Sequence, residues 1–135
     1  MRGTSRTAQG LAPISDAGIE AALADPARPA SVLDHVSDVT VVALLLGSAT
    51  AEPEALAAIH GSRLERLVEK LVDTPLRGLV YEGAGSVPAR HLKAGSNALA
   101  AASTRWHIPV RIIDTDPANH DEWLDDAVGA VSSLV

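Results

Sequence analysis

Short apolar stretches alternate along this chain with longer segments in which apolar residues recur every three or four positions. The apolar stretches predict four strands, at residues 18–24, 39–46, 77–81 and 108–113. The stretch at 39–46 is almost free of polar residues, as is typical of a strand covered by helices on both faces. The other periodicity predicts helices at 29–36, 53–72 and 88–106, and a last helix with Asp116 as its N-cap and Pro117 at its first position.

The regular alternation of strand and helix predicts the fold class. It favours a three-layer α/β domain, a Rossmann-like parallel sheet of about four strands with flanking helices. Residues 1–135 form one domain in this prediction, and residues 1–15 are its polar N-terminal segment. In such sheets ligands bind at the carboxyl ends of the strands. We therefore expect any site near Asp25, Gly47, Ser48 and residues 81–86, with 114–116 nearby.

Composition narrows the classes of function. The 135 residues carry 17 acidic and 11 basic side chains and no cysteine. A net charge of −6 with no basic stripe argues against a nucleic-acid partner, and no apolar run has the ~20 residues of a membrane span. The absence of cysteine excludes disulfides and thiolate sites and favours a cytoplasmic location. The five histidines lack metal-ligand spacing, so no metal site is predicted.

Three segments occur in the order expected of a known family. They are Gly18-Ile-Glu-Ala-Ala-Leu-Ala-Asp25, the run from 39 to 48, and Leu79-Val-Tyr-Glu-Gly-Ala-Gly85. In this order the chain resembles the atypical short-chain dehydrogenase/reductase group, which includes the NAD-dependent epimerase/dehydratase-like and NmrA-like proteins. The resemblance covers nearly the whole chain and implies a Rossmann domain that binds NAD or NADP.

The resemblance also implies positions for cofactor contacts. Asp25 matches the Asp that contacts adenine after the third strand of the family, and Gly47 with Ser48 matches the small-residue turn after the fourth. Residues 2–6 look like the end of the second strand, where Arg6 matches an Arg that meets the NADP 2′-phosphate. The turn that begins with Tyr81, Glu82 and Gly83 is the best candidate for a further ligand loop, although a flexible linker would explain its glycines almost as well.

Two family motifs are absent from this sequence. The Gly-x-x-Gly-x-x-Gly turn that holds the pyrophosphate would lie upstream of Arg2, and no other segment can replace its close backbone approach. The Tyr-x-x-x-Lys pair is also missing, because the only tyrosine, Tyr81, has Gly85 four residues later. We therefore predict no catalytic residues and a domain that is truncated relative to the family.

The missing segment predicts a problem for the sheet. In the strand order 3-2-1-4-5-6, the first and second strands lie between the third and the fourth. Their loss would leave the apolar strand at 39–46 with an unpaired edge. Three outcomes follow: a rearranged four-stranded sheet, a homodimer formed edge to edge, or a chain that is a piece of a longer product in which Met1 is not the true start.

Three functions remain open at this point. The chain is a dinucleotide-binding domain of the epimerase/dehydratase-like group, a non-catalytic binding or regulatory module that works by association, or a degenerate remnant that forms oligomers without a ligand. The absence of a positioned acid favours the second and third over catalysis.

Overall fold

A computed structural model describes all residues from 1 to 135. Its strands are β1 (Arg2–Ser5), β2 (Glu20–Leu23), β3 (Val41–Leu44), β4 (Gly78–Glu82) and β5 (Val110–Ile113). Its helices are α1 (Leu11–Asp16), α2 (Pro29–Leu33), α3 (Pro53–Ile59), α4 (Ser62–Leu71), α5 (Ala89–Trp106) and α6 (His120–Ser132), with a 3₁₀ turn at Ala8–Gly10. No helix combines the length and the apolar character that crossing a bilayer requires.

The strands form two parallel sheets. β1 pairs with β2, and β3, β4 and β5 form a second sheet in that order. The predicted α/β fold, with parallel strands and flanking helices, is confirmed. Residues 2–5 form a strand beside β2, as the resemblance implied for residues 2–6, in addition to the four strands predicted from the apolar stretches. The outcome in which β2 moves beside β3 to make a four-stranded sheet is wrong for this reason.

The larger sheet separates two apolar layers. All five residues of β4 are buried, as expected for the central strand of a covered sheet. The main core lies on the side of α2, α4 and α5, where Leu67, Leu71, Leu79 and Leu99 are at most 1% exposed. A smaller core forms under α6 around Val80 and Ile113. These layers fix the position and direction of the strand ends that form the candidate site.

The segment predicted as one helix at 53–72 is two helices. α3 ends at Ile59 and α4 begins at Ser62, with Gly61 between them at φ −130° and ψ −111°. The reason lies at His60, whose ring turns into the core and binds the carbonyl of Leu46 and the hydroxyl of Tyr81. Amphipathic spacing continues through the break, so the pattern alone could not reveal it.

The last helix also begins later than predicted. α6 starts at His120 with Asn119 as its N-cap, so Asp116 does not cap the helix. The carboxylate of Asp116 instead accepts the N–H of Ala118 at 2.9 Å, in a local turn. Asp and Asn favour such turns because their short side chains bond to the backbone two residues on. Asp116 therefore stabilises the turn before α6, whereas the sequence predicted that it would cap the helix.

Candidate functional site

A cleft of about 570 Å³ opens at the carboxyl ends of the strands, where the two sheets face each other. The ends of β1, β2, β3 and β4 all contribute to its wall, together with the start of α6. Its lining residues are Thr4, Ser5, Arg6, Ala24, Pro26, Leu45, Leu46, Ser48, Ala49, Thr50, Glu82, Pro117, His120 and Trp123. In open α/β sheets this edge is where ligands bind. We call this space the cleft.

The floor of the cleft is built from the loops after β3 and β4. The carbonyl of Gly47 accepts the N–H of Val87 at 3.0 Å. A Cβ on Gly47 would overlap the carbonyl of Ala84, and Gly85 has φ +148°, which side-chain-bearing residues rarely adopt. Glycine is required at both positions, because the two backbones approach within van der Waals contact.

Glu82 joins these two loops. Its side chain is only 4% exposed, and its Oε1 accepts the N–H of Gly47 at 2.7 Å. The carboxylate lines the cleft while it satisfies a backbone donor that would otherwise be buried without a partner. Glu82 therefore holds the turn after β3 in place and places its carboxyl group in the cleft wall.

Arg6 and Ser48 lie at the rim. The Arg6 guanidinium donates to the carbonyl of Thr50 at 3.3 Å and forms no salt bridge. Arg6 is the only Lys or Arg among the lining residues. Ser48 is exposed, and its Oγ accepts the N–H of Ser86 at 3.3 Å. The rim thus presents one cation that has no carboxylate partner, beside a hydroxyl.

Four of the seven predicted contact residues come together here: Arg6, Ser48 and Glu82 line the cleft, and Gly47 lies beneath it. The other three, Asp25, Tyr81 and Gly83, do not line it. The carboxylate of Asp25 accepts the N–H of Ala27 at 2.9 Å, so it stabilises the turn after β2. A Cβ on Gly83 would meet the side chains of Ile112 and Ser96, so this position is turned toward β5 and α5.

Tyr81 points into the main core. Its hydroxyl lies 2.5 Å from Nδ1 of His60, and Nε2 of the same ring lies 3.1 Å from the carbonyl of Leu46. A carbonyl can only accept, so Nε2 carries the proton and Nδ1 accepts the Tyr81 hydroxyl. Both side chains are 0% exposed. Burial raises the pKa of Tyr81 to about 12 and lowers the pKa of His60, so both are neutral at pH 7.

This pair explains another close approach in the core. A Cβ on Gly95 of α5 would overlap the Tyr81 hydroxyl, so glycine gives the phenol its space. The sequence gives no signal for this role. His60 falls within the predicted helix at 53–72, where a polar residue is expected to be exposed, and a glycine in a helix does not reveal which side chain it faces. The pair links α3, β4 and the end of β3, and it supports the wall of the cleft from behind.

Sequence reasoning also missed the contribution of α6. His120 and Trp123 reach the cleft from the first turn of this helix. The indole Nε1 of Trp123 is shielded from solvent and has no hydrogen-bond partner in the chain. No group of three or more His, Asp or Glu side chains is arranged to hold a metal ion.

Known proteins resemble this chain in structure and not in sequence. No family model matches the chain, and no curated protein matches it. Two solved structures of triphenylmethane reductase from Citrobacter sp. are similar to it, one of them a complex with NADP(H). Their TM-scores are 0.61 and 0.60, at 17% and 16% identity, over 83% of this chain. The chain spans 38% of the length of each reductase, and at these identities the likeness establishes the fold alone.

Proposed function

We propose that this domain binds an NAD(P)-type dinucleotide by its adenosine end, in the cleft between the two sheets. The observation that carries the proposal is Arg6, a guanidinium without a carboxylate partner at the rim of the cleft. A planar cation with free donors suits a phosphate group, which it binds through two parallel hydrogen bonds. The cleft volume of about 570 Å³ falls in the usual range for small-molecule sites.

The residues present fit one end of the dinucleotide and not its middle. Arg6 is placed to meet a ribose 2′-phosphate, and the hydroxyl of Ser48 lies on the same rim. The pyrophosphate would require a glycine-rich turn at a helix N-terminus, and the sequence has no such turn. We therefore expect weak binding that depends on the adenosine and its 2′-phosphate, with NADP preferred over NAD. The NADP(H) complex of the similar Citrobacter reductase supports this choice of ligand.

The position of Tyr81 supports binding without catalysis. It is the only tyrosine of the chain, and its hydroxyl is buried against His60, away from the cleft. Its pKa of about 12 further disfavours proton transfer near neutral pH. A bound nicotinamide would supply hydride chemistry, but this chain places no tyrosine hydroxyl in the cleft to protonate a carbonyl oxygen.

A titration with reduced dinucleotides tests the proposal. The fluorescence of NADPH or of NADH is measured while the protein is added, either as wild type, as Arg6→Ala or as Arg66→Ala. Arg66 lies on the exposed face of α4, so its substitution serves as the control. A charge-assisted bond to the 2′-phosphate is worth at least about tenfold in affinity. We expect wild type and Arg66→Ala to prefer NADPH by that factor, and Arg6→Ala to lose the preference. Equal binding of both nucleotides by wild type, or no binding at millimolar concentration, would refute the proposal.

A further inference from the structure

One carboxyl group lines the cleft, and only one of its two oxygens has a partner. Glu82 is the only Asp or Glu among the lining residues, and it forms no salt bridge. Its Oε1 accepts the N–H of Gly47, whereas Oε2 accepts no hydrogen bond within the chain. Among the buried and half-buried residues, the only unpartnered side-chain N or O atom that solvent does not reach is Nε1 of Trp123. Oε2 is therefore reached by solvent, and for a side chain that is 4% exposed the route is the cleft that it lines.

The alternation of side chains along β4 gives the direction of Glu82. Successive side chains of a strand lie on opposite faces of its sheet. Val80 packs in the smaller core under α6, and Tyr81 packs in the main core on the other face. Glu82 therefore lies on the face of α6, where His120 and Trp123 also border the cleft. A ligand in the cleft would meet the free oxygen of Glu82 on this face.

Arg6 and Glu82 are held at the two ends of one short segment after β3. The Arg6 guanidinium donates to the carbonyl of Thr50, and Glu82 accepts the N–H of Gly47. Three peptide units separate Gly47 from Thr50, so their Cα atoms are at most about 11 Å apart. The segment contains a turn, which shortens this distance. A cation and a free carboxyl oxygen therefore lie within reach of one small molecule.

Apolar side chains supply much of the remaining cleft wall. They are Ala24, Pro26, Leu45, Leu46 and Pro117, and Leu45 is 48% exposed. A flat ring packed against them would cover this surface. The cleft thus suits a ligand with an anionic group, a flat ring and an N–H donor. Adenosine 2′-phosphate has these three parts, and the amino group of its adenine lies at the end of the ring away from the ribose.

The carboxylate that the family resemblance implied for adenine is engaged elsewhere. Oδ1 of Asp25 accepts the N–H of Ala27, and Asp25 does not line the cleft. We propose that Glu82 takes this role, and that its Oε2 accepts the adenine amino group of a nucleotide whose 2′-phosphate is bound by Arg6. Glu82 thereby selects a base that carries an amino group. The inference rests on the proposed function and deepens it, because it assigns a part of the same ligand that Arg6 does not contact.

Two nucleotides that differ only in the amino group test this assignment. Calorimetry compares adenosine 2′-phosphate with purine riboside 2′-phosphate, in which hydrogen replaces the amino group. A ligand that leaves a polar group of its site unpaired loses about tenfold in affinity, so we expect wild type to prefer adenosine 2′-phosphate by that factor. Glu82→Gln keeps the bond to Gly47 through its amide oxygen but turns an N–H₂ donor toward the adenine amino group. This variant should bind both nucleotides alike.

Two further variants separate the possible failures. Asp25→Asn is the matched control, because its amide oxygen still accepts the N–H of Ala27, and it should keep the wild-type preference. Arg6→Ala should weaken both nucleotides and leave their ratio unchanged, because both carry the 2′-phosphate. Equal binding of NADPH and NADH by wild type counts against the proposed function. Equal binding of the two nucleoside 2′-phosphates by a protein that does prefer NADPH overturns only the assignment of Glu82.

The amide resonance of Gly47 decides the matter if Glu82→Gln fails to fold. Its N–H donates to the same carboxyl group, so a bond formed at Oε2 changes its surroundings. In the ¹⁵N-labelled wild type, adenosine 2′-phosphate should shift this resonance and the purine analogue should not. Identical shifts with both nucleotides would overturn the proposal, as would absence of binding at millimolar nucleotide. Loss of the preference in Asp25→Asn but not in Glu82→Gln would return the role to Asp25.

Discussion

Replacement of Tyr81 by phenylalanine tests the buried polar pair behind the cleft. The change keeps the ring and removes the hydroxyl that donates to Nδ1 of His60. Both side chains are 0% exposed, so no water replaces the lost donor without rearrangement. An acceptor left unsatisfied in a core costs about 1–3 kcal/mol. For a domain of this size that loss corresponds to a fall in Tm of about 4–12 °C.

Urea unfolding followed by circular dichroism measures this free energy. We expect Tyr81→Phe to lower the midpoint and leave the slope unchanged, as for a change in stability alone. Thr104→Ala is a suitable control, because it removes an exposed bond to the carbonyl of Ala100 and should change stability by less than about 0.5 kcal/mol. A Tyr81→Phe effect as small as the control would refute the claim that this pair stabilises the fold.

Two further predictions concern the same core. Burial lowers the pKa of His60 in the folded state below 6.5, its ordinary value in the unfolded chain. The unfolded state therefore binds more protons than the folded state, and the free energy of unfolding should fall as the pH is lowered from about 7 to about 5. Urea midpoints should depend less on pH in His60→Gln than in wild type, and an equal pH dependence would contradict the assignment. Gly95→Ala should destabilise by about 1–3 kcal/mol because its Cβ overlaps the Tyr81 hydroxyl, whereas Gly129→Ala in α6, with open space around it, should stabilise by about 0.5–1 kcal/mol. Thermal melts in which both changes have the same sign would count against this packing.

The sequence predicted the strands and the class of fold well, because buried parallel strands are long apolar runs between turn residues. The stretch at 39–46 contains β3, and 108–113 contains β5. The predicted helix boundaries were wrong where a single side chain forms contacts that the periodicity of apolar residues does not show. The periodicity of 53–72 cannot show that His60 turns inward and ends α3, and an Asp before Pro at 116 fits a helix cap as well as the local turn that forms.

The sequence predicted only the part of the site that lies directly at the ends of the strands. Gly47, Ser48 and Glu82 follow directly from the positions of β3 and β4, and Arg6 followed from the family resemblance. Tyr81 could not be placed, because which face of a buried strand meets a ligand depends on the helices that cover it. His120 and Trp123 reach the cleft by the packing of α6 on the sheet, which no local pattern encodes. Homodimerisation through the β3 edge stays a prediction.

Amide chemical-shift mapping tests the central claim most directly, because it locates the ligand as well as detecting it. NADPH is added to the ¹⁵N-labelled chain, with NADH as the comparison. We predict that NADPH shifts the amides at the cleft rim, at Arg6, Ser48 and Thr50, and that NADH shifts them less at equal concentration. Shifts confined to other surfaces, or identical shifts with both nucleotides, would contradict an adenosine 2′-phosphate site in this cleft.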